Sequence, residues 1–472
     1  MARFFSPAKF FAGLIRAVSR HPLSAFGAAI VTASGTLLVS LLVLELAGWP
    51  AGPYMGLITL LVLPAFFLVG LALIPVGIQL DRRRRARAAA EGQEPPALPV
   101  IDFNRPRTRN LMLGLVALTA TNVVILSAVT FRGLKTMESR EFCANACHTV
   151  MEPEGTAHLR FAHAQVPCVG CHIGPGASSF LKAKLNGTRQ LALVTFGGYH
   201  RPVPVPVEGF RKASEICSEC HSVDATFKAD RLKVIEKFAE DEANTSTKTV
   251  LLLRHTIHWH ARPDVQIRFE TNASRDKVGA IEVTTADGKV KRFKAPEATA
   301  AELKGAAWRT MDCLDCHNRP AHTFRTAEKE LDLAFSQGRL DRSLPSLRQE
   351  GMKLITAEYP SAAAAHQTIG TELATFYREK YPDKAAEQAA KIQEAAKELG
   401  DLWAANVFPA MKVSWGTYPT HLGHDSSPGC FRCHDDEHAT EDGTTLSQDC
   451  SFCHGVGAMD EEKPEVLEQL GR

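Results

Sequence analysis

The apolar positions of this chain change rhythm partway along. Over the first 131 residues they come in unbroken runs: "SAFGAAIVTASGTLLVSLLVLELAG" (24–48), "YMGLITLLVLPAFFLVGLALIPVGIQ" (54–79) and "LMLGLVALTATNVVILSAVTF" (111–131). As helices rising 1.5 Å per residue, each is long enough to cross the roughly 30 Å hydrocarbon core of a bilayer. The first is too long for a cleaved signal and lacks a small-residue cleavage site. Beyond residue 131 the pattern shortens. "VQIRFE" and "AIEVTTADGKVKRF" alternate apolar and polar residues around an Asp-Gly pair, which predicts a small β-hairpin. Residues 324–341, 347–358, 361–380 and 383–406 are rich in Ala, Glu and Lys with helical periodicity. "RPVPVPVEGF" (201–210) reads as extended chain. The expected architecture is three transmembrane helices followed by a mostly α, loop-rich domain with a small β-hairpin insert.

Charge orients the spans. Arg3, Lys9, Arg16 and Arg20 precede the first, and eight arginines in "DRRRRAR" and "RPRTR" separate the second from the third. The connection around Pro50–Pro53 has none. By the positive-inside rule residues 1–21 and the Arg-rich loop 81–110 are cytoplasmic, and the chain after Phe131 lies outside. The arginine run is thus a topology signal and not a nucleic-acid site. The net charge of +2 adds little, because the arginines mask a less basic exterior. No nucleotide-binding glycine loop, serine elbow or zinc-protease motif occurs.

Cysteine spacing then defines the chemistry. All twelve cysteines fall into six close pairs: Cys143/Cys147, Cys168/Cys171, Cys217/Cys220, Cys313/Cys316, Cys430/Cys433 and Cys450/Cys453. A histidine follows each pair: His148, His172, His221, His317, His434 and His454. Cys-x-x-Cys-His is the pattern of c-type haem attachment, in which two thiols bond the porphyrin and the imidazole reaches the iron. Zinc ribbons and disulfide frameworks do not need the histidine. Haem is joined to thiols on the outer side of the bacterial membrane, in agreement with the charge-based orientation. The first pair, in "EFCANACH", is one residue wider. Its two readings are a sixth haem site with a bulged loop, or a disulfide-forming pair that leaves five haems.

The stretch "EFCANACHTVMEPEGTAHLRFAHAQVPCVGCHIGPGASSFLKAKLNGTRQ" resembles the NapC/NirT family of membrane-anchored cytochromes c, and "SEICSECH" is similar to its third haem segment. "MDCLDCHNRPAHTF" and the region from "MKVSWGTYPTHLGH" to "QDCSFCH" look like the extension of larger multihaem members. The three spans depart from the single anchor of smaller members. The resemblance implies electron uptake from quinol, with a methionine near the first haem and a lysine lining the quinol pocket. The matching residues are Met151 and Lys184. Met151 follows His148 by three residues where the family has two, so it is either an axial group or an apolar contact. Lys184, like Lys182, also suits interfacial snorkelling. The carboxylate expected two turns further on is missing, which leaves Glu141, Glu152 or Glu154 as stand-in proton acceptors.

Eleven histidines remain for the second axial positions once the six motif residues and His21 are set aside. His163 matches a family ligand position, with His158 as the fallback. His258 and His260 alternate in "RHTIHWHARP" as on one strand face, with His255 as their exposed partner. His322, His421, His424 and His438 sit where short loops bring them to neighbouring haems. His200 is a weaker candidate, and His366 a surface residue. The expected domains are 132–225 with haems 1–3, a β-containing insert at 226–310, and 311–472 with haems 4–6. Fully ligated irons conduct electrons and do not bind substrate. The reading is therefore a multi-pass protein of the bacterial inner membrane with six covalent haems facing the periplasm. It takes electrons from the quinol pool and passes them to a periplasmic or outer-membrane cytochrome or a reductase. The rivals are a relay subunit docked to membrane partners, and a terminal reductase with one open haem.

Overall fold

A computed structural model describes residues 18–46, 63–92, 102–137, 139–145, 148–173, 177–207, 210–221, 229–296, 303 and 306–471. The chain divides into two compact units, Met1–Met137 and Glu138–Arg472.

The first unit holds helices α1 (Pro22–Leu46), α2 (Leu63–Ala90) and α3 (Pro106–Met137). Pro22–Val39 of α1 and the whole of α2 are long and apolar enough to cross a membrane. These two helices pack closely because Gly27 and Gly70 face each other's backbone, where a Cβ on either would collide. Leu38, Leu63 and Ile125 add an apolar contact that includes α3. The connection at residues 47–62, including Pro50–Pro53 and the start of the expected second span, lies outside the described residues. One expectation is corrected: the arginine run does not open a loop at residue 81. α2 continues through it to Ala90, since Ala and Arg favour helix and Asp81 pairs with Arg85 one turn on at 2.9 Å.

The second unit is built on two antiparallel sheets and a helical bundle. Strands β1 (Arg231–Phe238), β2 (Ser246–Leu253) and β7 (His454–Glu461) form one sheet in the order β1-β2-β7. Strands β3 (Gln266–Thr271), β4 (Val278–Thr284), β5 (Val290–Phe293) and β6 (Ala307–Thr310) form the other, in the order β5-β4-β3-β6. β4 and β5 flank Asp287-Gly288, with Gly288 at a φ of 77°. The β structure is therefore larger than one hairpin. β6 leads into the Cys313 motif, and β7 begins at His454, so each sheet ends on a cysteine motif.

Helices α4 (His148–Leu159) and α5 (Ala177–Thr195) lie in the N-terminal part of this unit. The bundle consists of α6 (Ala327–Ser336), α7 (Leu347–Thr356), α8 (Ala362–Lys380) and α9 (Ala389–Ala404). Thr326 and Ser361 cap α6 and α8 through their side-chain oxygens. Leu331, Leu354, Ile369, Leu373, Leu399 and Trp403 form its core at 0–1% exposure. The bundle carries no cysteine motif and acts as a scaffold. Asn244, fully buried in the β1–β2 turn at a φ of 47°, joins the first sheet to it. Its amide donates to the carbonyls of Arg342 and Leu344 at 3.0 and 2.8 Å and accepts from the Arg348 N–H at 2.8 Å.

Asn244→Ala strands these buried groups and places a Cβ-bearing residue without a local bond in the left-handed region. The expected cost is about 3 kcal/mol. Thermal unfolding of the loaded protein checks this, with the haem content unchanged.

Candidate haem centres

Each tight motif occupies one helical turn. Cys168–His172 and Cys313–Cys316 are α-helical, and Gly429–Arg432 and Cys450–Phe452 are 3-10 turns. The N–H of His221, His317 and His434 donates to the carbonyl of the first cysteine at 2.8, 2.8 and 3.1 Å. Such a turn brings residues i, i+3 and i+4 to one side, so both thiols and the imidazole face the same space. At Asp312 a reciprocal cap with Asp315 opens the fourth motif, and Arg309 holds the buried Asp315 carboxylate at 2.9 Å. Gly429 stands at a φ of 50° with Gly423 against it, which leaves no room for a Cβ before Cys430.

The first motif is described in part. Cys143 lies in the helix Arg140–Asn145 and His148 starts α4, while Cys147 lies outside the described residues. Met151 packs with Val150, Ala157, Phe324 and Tyr418 in an apolar cluster. Lys184 sits on α5, with only its backbone described.

Opposite the motif histidines the fold brings second imidazoles. His172 faces His322 at 6.2 Å between ring centres, and His221 faces His163 at 6.0 Å. His317 faces His258 at 6.4 Å, His434 faces His260 at 6.0 Å, and His454 faces His424 at 6.3 Å. Two imidazoles sharing one iron, each nitrogen about 2.0 Å from it, stand roughly 6.3 Å apart between ring centres. All five gaps fit one iron.

The ring nitrogens agree with this fit. Nδ1 of His163, His260 and His434 points at the carbonyls of Pro320, Ile257 and Ser447 at 3.0, 2.9 and 3.1 Å. A carbonyl accepts only, so Nδ1 carries the hydrogen and Nε2 keeps the lone pair that a metal needs. Burial is the largest effect holding His172, His258, His260 and His317 below the usual imidazole range, which disfavours the charged ring.

His258 and His260 do not share a strand face as expected. They lie in a 3-10 turn, His255–Ala261, where residues two apart diverge, and each serves a different motif. The sequence reading missed this because His-x-His matches strand alternation equally well. Among the described residues His438 faces no motif histidine: its Nδ1 meets Asp435 at 2.7 Å and its Nε2 meets the Gly279 carbonyl at 3.0 Å. His421 is not in the five pairs. It is buried beside Arg432, and burial lowers its pKa to about 4. His158 is also buried, 5.8 Å from His322. His255 pairs with Asp230 at 2.7 Å on the surface, His366 with Asp401 at 3.4 Å, and His200 is exposed.

Successive motifs come near one another through their thiols, two of the junctions in contact. Cys143 shares a hydrogen bond with Cys168, and Cys217 with Cys313. Cys171 lies near Cys220, Cys316 near Cys430, and Cys430 near Cys453. Burial pushes the Cys316 and Cys433 thiols up to about 11 and about 12. The six motifs therefore follow one another in space in chain order.

Ring planes make a testable signature. The His258/His317 and His424/His454 planes lie 9° and 25° apart, whereas His163/His221 and His260/His434 lie 70° and 85° apart. Parallel ligand planes split the iron d orbitals strongly and crossed planes leave them nearly degenerate. Electron paramagnetic resonance of the oxidised protein should show rhombic low-spin signals together with strongly anisotropic, high-g signals. His260→Ala should remove one high-g signal, and His438→Asn should remove none.

Comparison with known proteins places these features. Residues 105–203 match the N-terminal region of the NapC/NirT cytochrome c family. The chain is 35% identical to the cytochrome c-type protein ImcH of Geobacter sulfurreducens, over 94% of this chain and 90% of that protein. It is 31% identical over 121 residues to the cytochrome c nitrite reductase subunit NrfH of Nitratidesulfovibrio vulgaris, which covers 25% of this chain and 72% of NrfH. No solved structure matches. With covalent haem c implied by the family and cysteine–histidine turns built to receive it, the chain belongs to the NapC/NirT family of membrane-anchored c-type cytochromes.

Proposed function

We propose that this protein is a hexahaem quinol dehydrogenase of the bacterial inner membrane, which takes electrons from quinol and relays them to a periplasmic or outer-membrane acceptor. The observation that carries the reading is the set of five imidazole pairs spaced for iron along a row of neighbouring motifs. Haem c bound at each site supplies a one-electron centre, and an iron with two imidazoles has no position left for substrate.

The chain's own residues set the conditions for this. The cysteines hold each group covalently, and the carbonyl contacts at Nδ1 aim Nε2 inward. Oxidising one quinol delivers two electrons and releases two protons, which leave on the outer side in this topology. α3 runs through the third expected span and supports a three-span anchor. The arginines on α2 support a cytoplasmic placement of its end. The wide first motif also holds a haem and follows α3 directly in the chain, which makes it the candidate to meet a lipid-soluble donor.

α5 exposes Leu185 and Leu191 at 65% and 61%, with Phe196 at 86% just beyond it, which suits a helix lying on lipid. Lys184 on this helix is the proposed quinol contact. Glu154 is not free to accept a quinol proton, because Arg319 and His322 occupy its oxygens. Glu141 and Glu152 remain. A terminal reductase with an open iron would have its open position at the first motif, since the other five have paired rings.

Anaerobic stopped-flow mixing of the detergent-purified protein with a soluble menaquinol analogue tests this, with haem content measured alongside. Rapid reduction of six low-spin haems is the expected outcome. Full reduction by dithionite but none by quinol would move electron entry to a protein partner. Lys184→Ala should slow quinol-driven reduction by roughly tenfold, about 1.4 kcal/mol of lost contact, with haem content intact.

A further inference from the structure

We infer that Glu154 and Arg319 form a buried positioning pair that sets the orientation and electron density of His322, the imidazole facing His172. This rests on the reading of His172 and His322 as one ligand pair.

Nδ1 of His322 lies 3.0 Å from the Glu154 backbone carbonyl and 3.2 Å from its carboxylate Oε2. Both are acceptors, so Nδ1 carries the hydrogen and Nε2 faces the gap with its lone pair. Arg319 donates to both carboxylate oxygens at 2.9 and 3.0 Å through one terminal nitrogen. Its Nε donates to the His322 carbonyl at 2.6 Å. One guanidinium thus grips both the carboxylate behind the ring and the backbone that carries it. The guanidinium is itself seated over Tyr418 and Phe324, 4.1 and 5.0 Å from their ring centres. The pair is well out of water, with side-chain exposures of 7% for Arg319 and 13% for Glu154.

This arrangement differs from the other ligand candidates. The Nδ1 contacts of His163, His260 and His434 are to neutral carbonyls. A carboxylate pulls harder on the Nδ1 hydrogen, makes the ring more imidazolate-like and so favours oxidised iron. Arg319 draws charge back from the same carboxylate and moderates the effect. The two side chains therefore act on one ligand with opposite signs. They also join two motif segments, because Glu154 follows His148 by six residues and Arg319 follows His317 by two.

The experiment is a spectroelectrochemical titration, with electron paramagnetic resonance, of the haem-loaded full chain and three variants. Glu154→Gln keeps the volume but loses the charge. It should move the reduction equilibrium of one haem toward the reduced form by on the order of tenfold. Arg319→Gln should move the same haem the other way. A change confined to packing would not reverse sign between the two. If Arg319→Gln fails to fold, Glu154→Gln decides alone. A fully loaded Glu154→Gln protein with every potential and resonance signal unchanged overturns the proposal. His322→Ala separates the two layers: loss of one low-spin signal upholds the ligand reading whatever Glu154→Gln does, and retention of all low-spin signals sinks both.

Discussion

An iron held by two imidazoles needs two nitrogens in line, one on each side, with their rings roughly 6.3 Å apart. The proximal ring comes with the cysteine turn, but the second has to be delivered by the fold. His322 lies 150 residues from His172, and His424 lies 30 residues before His454. Much of the second unit answers this demand. The 3-10 turn after β2 delivers two rings to two different motifs, because its tight pitch points His258 and His260 apart.

The two sheets and the bundle then act as a frame around a row of motifs too short to make a core of their own. β6 feeds the fourth motif and β7 leaves the sixth, so strand register sets where the turns stand. β2 and β7 pair Leu253 with His454, which places the sixth motif beside the turn that carries His258 and His260. The bundle contributes packed Leu, Ile and Trp side chains, and the buried Asn244 ties the first sheet to it. Thiols of the first and second motifs, and of the third and fourth, lie against one another with no other chain between them.

Charged groups that are buried among the motifs are paired with one another. Glu154 is shared by Arg319 and His322, and Asp315 is held by Arg309. Breaking one partner of such a pair leaves an uncompensated charge in a low-dielectric interior, which costs more than the pair contributes. The Glu154–Arg319 pair sits beside the His322 ring, which faces His172.

The sequence by itself determined whatever is local. The cysteine–histidine turns are contiguous, the apolar runs are set by bilayer thickness, and the bundle helices follow from periodicity in "AAAAHQTIGTELATFYREK" and its neighbours. Each of these needs only a few consecutive residues. Tertiary structure alone decided which of eleven spare histidines face a motif. His438 looks as well placed as His322 in the sequence, yet both its nitrogens are spent on Asp435 and Gly279. The β-rich region was legible as one hairpin, because sheet partners far apart in the chain, such as β2 and β7, leave no local mark. A covalent attachment turn is written in adjacent residues, while a facing ligand depends on loop closure over tens to hundreds of residues, and that information exists only in the folded chain.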